Sequence, residues 1–90
     1  MAPLEQLFIL EVEFHRRLRT EAPGTVDAAA VHTSFALQAG FEPLLRAAGR
    51  FTAGDLARLA ERHRAAGDAR DVSAACDFLT DWLGLRPSGP

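Results

Sequence analysis

The sequence predicts an all-α fold, a small four-helix bundle-like domain that ends in a helical hairpin. Three observations predict it. Apolar residues recur three and four positions apart, Pro and Gly separate the periodic segments, and helix start and stop signals agree over residues 52–85. The 90 residues are expected to form a single domain, 1–90. Its helices are expected at about 3–20, 26–39, 43–48, 53–66 and 69–85.

Helix 1, predicted over about residues 3–20, has a broad apolar face. Pro3 lies near the first helical position and Glu5 lies in the first turn, where a carboxylate suits the helix dipole. The residues that form or widen the face are Leu4, Leu7, Phe8, Leu10, Val12, Phe14 and Leu18. Ile9 falls opposite the centre of this face, so one core cannot easily bury every apolar residue. We therefore expect helix 1 to contact a partner as well as the core.

Glu11 projects close to the centre of the same apolar face, and His15 follows one turn later. A carboxylate and an imidazole at this spacing can hydrogen-bond to each other. In the simpler interpretation, Glu11 lies at the core edge and pairs with His15 or with an Arg from another helix. In the functional interpretation, the two residues form an acid–base pair or a polar lock at a protein interface.

Helix 2, predicted over about residues 26–39, is our candidate for the central helix. Gly24 or Thr25 is expected to cap it, and Gly40 is expected to end it. Its larger apolar residues fall on two sides separated by alanines, which favours close contact with two neighbours. Pro43 then suits the first position of a short helix; if helix 2 instead continues through Pro43, it must kink there.

The C-terminal hairpin is predicted from its capping residues. Thr52 and Asp55 form a capping box in its acidic variant, which starts a helix at about residue 53. Gly67 is expected to take the left-handed conformation that ends this helix. Asp68 and Asp71 repeat the capping arrangement and start the last helix.

The last helix carries a continuous apolar stripe, ended by Gly84 and Pro87. Trp82 is its largest side chain, and we expect it to be buried. Cys76 is expected to be a core thiol rather than a nucleophile. The stripe consists of Val72, Ala75, Cys76, Leu79, Trp82 and Leu83.

His32 is surrounded on its helix by Ala28, Ala29 and Ala36, and this spacing predicts a histidine that another protein can reach. In this respect the chain is similar to the histidine-phosphotransfer family, four-helix modules in which a His on the second bundle helix carries a phosphoryl group. The resemblance implies that His32 is a phosphoryl carrier. The family places Lys three residues and Gly four residues after its His, where this chain has Phe35 and Ala36.

The histidines do not have the spacing of a metal site. Di-iron bundle sites use Glu-x-x-His pairs, whereas Glu11 and His15 are four positions apart. His32 and His63 lie on other helices, and His63 is expected to be a core or interface histidine. The sequence has no phosphate loop, CxxC, HExxH or nucleophile elbow. We therefore expect no catalytic residue, no metal and no cofactor.

The composition limits the classes of partner that the chain is expected to bind. A net charge of -2 argues against a nucleic-acid binder, which needs a basic stripe against the phosphates. The longest apolar run, residues 7–10, is far too short to span a membrane. A single cysteine fits a reducing compartment. We expect a cytoplasmic protein without nucleic-acid or membrane partners.

These observations favour a non-enzymatic protein–protein interaction module: an adaptor, a small subunit or a regulator of a larger assembly. We expect it to associate with a protein partner or as a homodimer through helix 1. The candidate contact residues are Phe8, Ile9, Glu11, Val12 and His15. The alternative is a phosphotransfer-like module or another small helical enzyme that uses His32 or the Glu11–His15 pair.

Overall fold

The computed structural model describes residues 1–21, 24 and 27–85. All regular structure in these residues is helical, in five helices, which confirms the predicted fold class and the short extra helix. The helices are α1 (Pro3–Glu21), α2 (Ala28–Ala39), α3 (Phe41–Ala48), α4 (Ala53–Arg64) and α5 (Ala69–Trp82). Helix 2 begins at Ala28 rather than at about residue 26, and Asp27 caps it in place of the expected Gly24 or Thr25. Thr25 itself and Pro87 lie outside the described residues.

The central helix is α1, not α2. Its backbone approaches all four other helices, whereas the backbone of α2 approaches only α1 and α3. This arrangement accounts for most of the broad apolar face of α1, because a central helix is covered on several sides. The buried apolar core consists of Leu7, Phe8, Ala36, Phe41, Leu56, Ala60, Val72, Ala75 and Leu79.

The hairpin of α4 and α5 begins as predicted. The Thr52 hydroxyl accepts from the Asp55 amide and the Asp55 carboxylate accepts from the Thr52 amide, so the capping box is present. Asp68 caps α5 by accepting from the Arg70 amide. The expected left-handed Gly67 is wrong: α4 ends earlier, at Arg64, and Gly67 does not have a positive φ.

One glycine joins α2 to α3. Asp27 caps the start of α2, and Gly40, at φ 76°, is both the last cap of α2 and the first cap of α3. A left-handed backbone at this point suits glycine and turns the chain sharply between two helices. Pro43 consequently lies two residues inside α3, which begins at Phe41 rather than at Pro43.

The stripe of α5 packs inward except at its end. Val72, Ala75 and Leu79 are buried, and Cys76 is half-buried against the core. Trp82, predicted to be buried, is 42% exposed. It is the last residue of α5, so no further turn of the helix covers it.

Candidate functional site: a carboxylate between two histidines

Glu11 is fully buried and binds two histidines at once. Its Oε2 lies 2.8 Å from His15 Nε2, and its Oε1 lies 2.6 Å from His32 Nε2. His32 is also fully buried, while the side chain of His15 keeps 11% exposure. The predicted Glu11–His15 pair is therefore present, and it has a third member from α2. We call these three residues the Glu11 network.

Helix geometry brings the network together. Glu11 lies four residues after Leu7 and three before Phe14, so it shares their inward face on α1. His15 lies one turn further along the same helix. On α2 only two side chains, His32 and Ala36, are buried, and they are also one turn apart. The two inward faces meet at the Glu11–His32 contact.

Aromatic rings surround the network. The His32 ring centroid lies 4.4 Å from that of Phe78, 4.8 Å from that of Trp82 and 5.0 Å from that of Phe14. Phe35 and Phe41 complete the enclosure of His32, at 5.9 Å and 5.6 Å. The phenyl rings carry no nitrogen or oxygen, and the indole N–H of Trp82 can only donate a hydrogen bond. None of these rings therefore offers His32 a nitrogen or oxygen acceptor. The expectation of an accessible His32 is therefore wrong.

The proton positions follow from this geometry. An ionised carboxylate only accepts, so with Glu11 ionised both Nε2 atoms carry hydrogen and donate to it. The other ring nitrogen of His32, Nδ1, is buried and has no hydrogen-bond partner among the residues that the structure describes. A buried polar atom without a partner is uncommon in folded proteins and costs free energy. His32 is thus held by one nitrogen and unsatisfied at the other.

A second carboxylate–histidine cluster lies nearer the start of α1. Glu5 Oε2 lies 3.0 Å from His63 Nε2 and accepts from Arg62 Nη2 at 3.2 Å. The hydrogen bond from His63 and the nearby Arg62 charge together hold the pKa of Glu5 below its ordinary value. His63 is partly exposed, so this cluster is in contact with solvent.

A third carboxylate anchors α1 to α5. Arg19 donates from Nε and Nη2 to the two oxygens of Asp71, each at 2.9 Å. The Asp71 side chain is only 5% exposed, and the Arg19 hydrogen bonds hold its pKa below the ordinary value. Asp71 was predicted as a capping residue of the last helix. Its pairing with Arg19 was not predicted, because it joins residues 52 positions apart.

The candidate contact residues of helix 1 separate into two groups. Phe8 and Glu11 are fully buried, so neither is available at the surface of the monomer, which corrects the expected surface. His15 is nearly buried. Ile9 is 37% exposed, and Val12 is half-buried beside it. The polar lock consequently joins two helices of this domain rather than a partner.

Ile9 and Val12 line an open groove of about 340 Å³ between α1 and the turn that joins α4 to α5. Its walls are mostly apolar, with Glu13 and His63 as the charged or titratable residues. The other lining residues are Leu10, Ala66, Gly67 and Val72. Among the described residues, no group of three His, Cys, Asp or Glu side chains is arranged to hold a metal ion.

No family model matches the chain, and no curated protein or solved structure is significantly similar to it. Within the described residues, none of the helices combines the length and the apolar character needed to cross a bilayer.

Proposed function

We propose that this chain is a non-enzymatic protein-interaction module, which binds another protein chain through the exposed side of α1. The observation that carries the proposal is the groove beside Ile9. Ile9 projects from the central helix of the domain and is still 37% exposed, although α1 is covered on its other sides. An apolar side chain at the rim of an apolar groove suits a helix face from a partner.

The groove has the properties of a modest interface. Its walls are apolar, which favours an apolar helix face over a charged ligand. Glu13 at the rim is already bonded to Arg16 and Arg17, so this part of the rim has no unpaired carboxylate. A second copy of this chain, which offers the same Ile9 surface, is the partner that we test first.

The alternative, phosphoryl transfer through His32, has less support. A phosphoryl carrier must reach the active site of another protein, whereas His32 is fully buried and its Nε2 is bonded to Glu11. The Glu11–His15 pair is likewise bonded internally. We therefore favour the interaction module.

Two matched substitutions test the proposal. Ile9→Glu places a charge at the groove, and Leu37→Glu places the same charge on α2, where Leu37 is 83% exposed and does not line the groove. We expect sedimentation velocity at high micromolar concentration to show a dimer for the natural chain. Ile9→Glu should weaken self-association more than tenfold, whereas Leu37→Glu should leave it unchanged.

Other outcomes would contradict the proposal. A monomer throughout the concentration range, with no partner retained from the native host, would exclude association through this groove. A loss of association with Leu37→Glu instead of Ile9→Glu would place the contact on α2. Circular dichroism of both variants confirms that each remains folded before the comparison is made.

A further inference from the structure

His32 is the largest buried side chain on α2. The other buried residue, Ala36, is small, and Phe35 and Ala39 are only half-buried against the core. The ring of His32 touches aromatic residues of α1, α3 and α5, and its Nε2 makes the one hydrogen bond of its imidazole to Glu11. The α2 backbone itself packs only against α1 and α3. Any change at His32 therefore acts directly on how firmly α2 is held.

We propose that the Glu11 network is a proton-operated latch, which holds α2 on the bundle at neutral pH and releases it in mild acid. Two imidazoles share one carboxylate, so the negative charge of Glu11 can neutralise the charge of one added proton but not of two. The first proton is balanced by the Glu11 charge, and it goes to His15, which keeps some exposure to solvent. The second must go to Nδ1 of His32.

That second proton has no place in the closed structure. It leaves the buried network with a net positive charge, and it turns Nδ1 into an N–H donor that faces no acceptor. In the open form, in which α2 has left the bundle, the imidazole of His32 is hydrated and takes up the same proton without this cost. Acid therefore favours the open form, because that form binds more protons.

The other charged groups near His32 do not supply a second counter-charge by direct contact. Arg19 and Asp71, between α1 and α5, are bonded to each other. The α4 residue His63 is bonded to Glu5. The remaining charged side chains on α1, α3 and α5 are exposed or partly exposed to solvent, which screens them: Glu13, Arg16, Arg17 and Glu21 on α1, Glu42 and Arg46 on α3, and Arg70, Asp77 and Asp81 on α5. Residues 28–39 of α2 include no Asp, Glu or Arg.

The expected size of the effect follows from the proton count. One extra proton bound in the open form changes the ratio of open to closed molecules about tenfold for each pH unit. Imidazoles in water titrate near pH 6.5, so the change should develop between about pH 7 and 5. Release of α2 would uncover Phe14, Phe78 and Trp82, which His32 now covers from one side.

Nitrogen NMR of the histidine rings tests the latch directly. At pH 7.5 we expect His32 to be neutral, with hydrogen on Nε2 alone. On lowering the pH, its second protonation should coincide with a change in the fluorescence of Trp82, the chain's one tryptophan, and with faster exchange of α2 amides after correction for intrinsic rates. The opening should increase about tenfold per pH unit.

Two variants separate the latch from general acid sensitivity. His32→Gln keeps an N–H donor for Glu11 but cannot titrate, so its α2 opening should not depend on pH between about 5 and 7. His63→Gln removes the histidine of the solvent-exposed cluster, and it should open like the natural chain. Should His32→Gln fail to fold, the ring NMR of the natural chain still decides.

The proposal would be overturned by either of two results. One is a doubly protonated His32 at pH 5 with α2 amides still protected, which would mean that the surrounding rings accommodate the cation. The other is the same pH-dependent opening in His32→Gln as in the natural chain, which would assign the response to another group.

Discussion

The two glutamates of α1 that bind histidines, Glu5 and Glu11, lie in opposite surroundings. Each accepts from two donors, and each draws at least one donor from another helix. Glu5 has Arg62, a permanent cation, and contact with solvent. Glu11 has only imidazoles and is completely buried. The same pair of residue types is therefore a surface contact in one place and a charge-dependent core element in the other.

From this difference we expect burial and the kind of cation to affect the contribution of each cluster to stability more than the number of hydrogen bonds does. An exposed ion pair gains little, because water solvates both charges well when they are apart. A buried carboxylate has lost that alternative, so its partners must remain in place. The stability of this domain should consequently respond very differently to changes at Glu5 and Glu11.

The largest effect is expected for Glu11→Ala. It leaves the N–H groups of two inward-facing imidazoles without their shared acceptor, and each buried unsatisfied donor costs about 1–3 kcal/mol, to which the cavity left by the side chain adds. Urea unfolding measures the loss, and Glu5→Ala is the matched control with a much smaller shift in midpoint. Equal shifts for the two variants would mean that burial does not separate the clusters.

Asp71 sharpens the comparison, because it is nearly as buried as Glu11 but has an arginine partner. Asp71→Asn should cost about 1–3 kcal/mol at pH 7, the range for hydrogen bonds to charged groups. Because Arg19 lowers the pKa of Asp71, this contribution is present above about pH 4 and is lost as the pH falls through the folded value. Thermal unfolding at pH 7 and at pH 2 should therefore show the variant and the natural chain converging in acid.

A substitution of Trp82 tests how much the aromatic side chains around His32 contribute to the free energy of unfolding. Since the side chain is 42% exposed, Trp82→Ala should cost about 1–2 kcal/mol rather than the 3–5 kcal/mol of a fully buried aromatic. Phe41→Ala, at a ring that is 2% exposed and also touches His32, is the buried reference. A larger loss for Trp82 than for Phe41 in urea unfolding would contradict this order.

The smallest effect is expected for Glu5→Gln. The amide keeps the shape and one acceptor for His63 or Arg62, so the urea midpoint at pH 7 should change less than in any variant above. The lowered pKa of Glu5 means that its contribution is also lost in acid, below about pH 4. A shift comparable to that of Asp71→Asn would show that the exposed cluster holds α1 to α4 more firmly than its solvent contact implies.

The sequence predicts the helices well, because their signals are local. The capping box at Thr52 and Asp55 and the glycines near helix ends act within a few residues. The left-handed conformation predicted for Gly67 was wrong because α4 ends at Arg64, two residues earlier than predicted. The central helix was assigned to α2 for its alanines, but which helix is central depends on all contacts at once.

The site is predictable only in part. Glu11 and His15 share a helix, so their contact follows from a spacing of four. His32 is 21 positions from Glu11, and no local rule joins them. A signal existed, since His32 shares a helix face with Phe35 and Ala36 and so belongs to an inward-facing pattern. Its alanine neighbours were interpreted as exposure, whereas small residues also let two helices approach closely.

The Arg19–Asp71 pair has a consequence for synthesis. The two residues are 52 positions apart, and chains grow at roughly 5–20 residues per second, so Asp71 is added about 3–10 seconds after Arg19. Throughout that interval the inward face of α1, with Leu7, Phe8 and Glu11, lacks the helix that closes it. The inward face of α1 is therefore fully covered only after α5 has been synthesised, so this apolar surface is accessible in the nascent chain and buried in the folded domain.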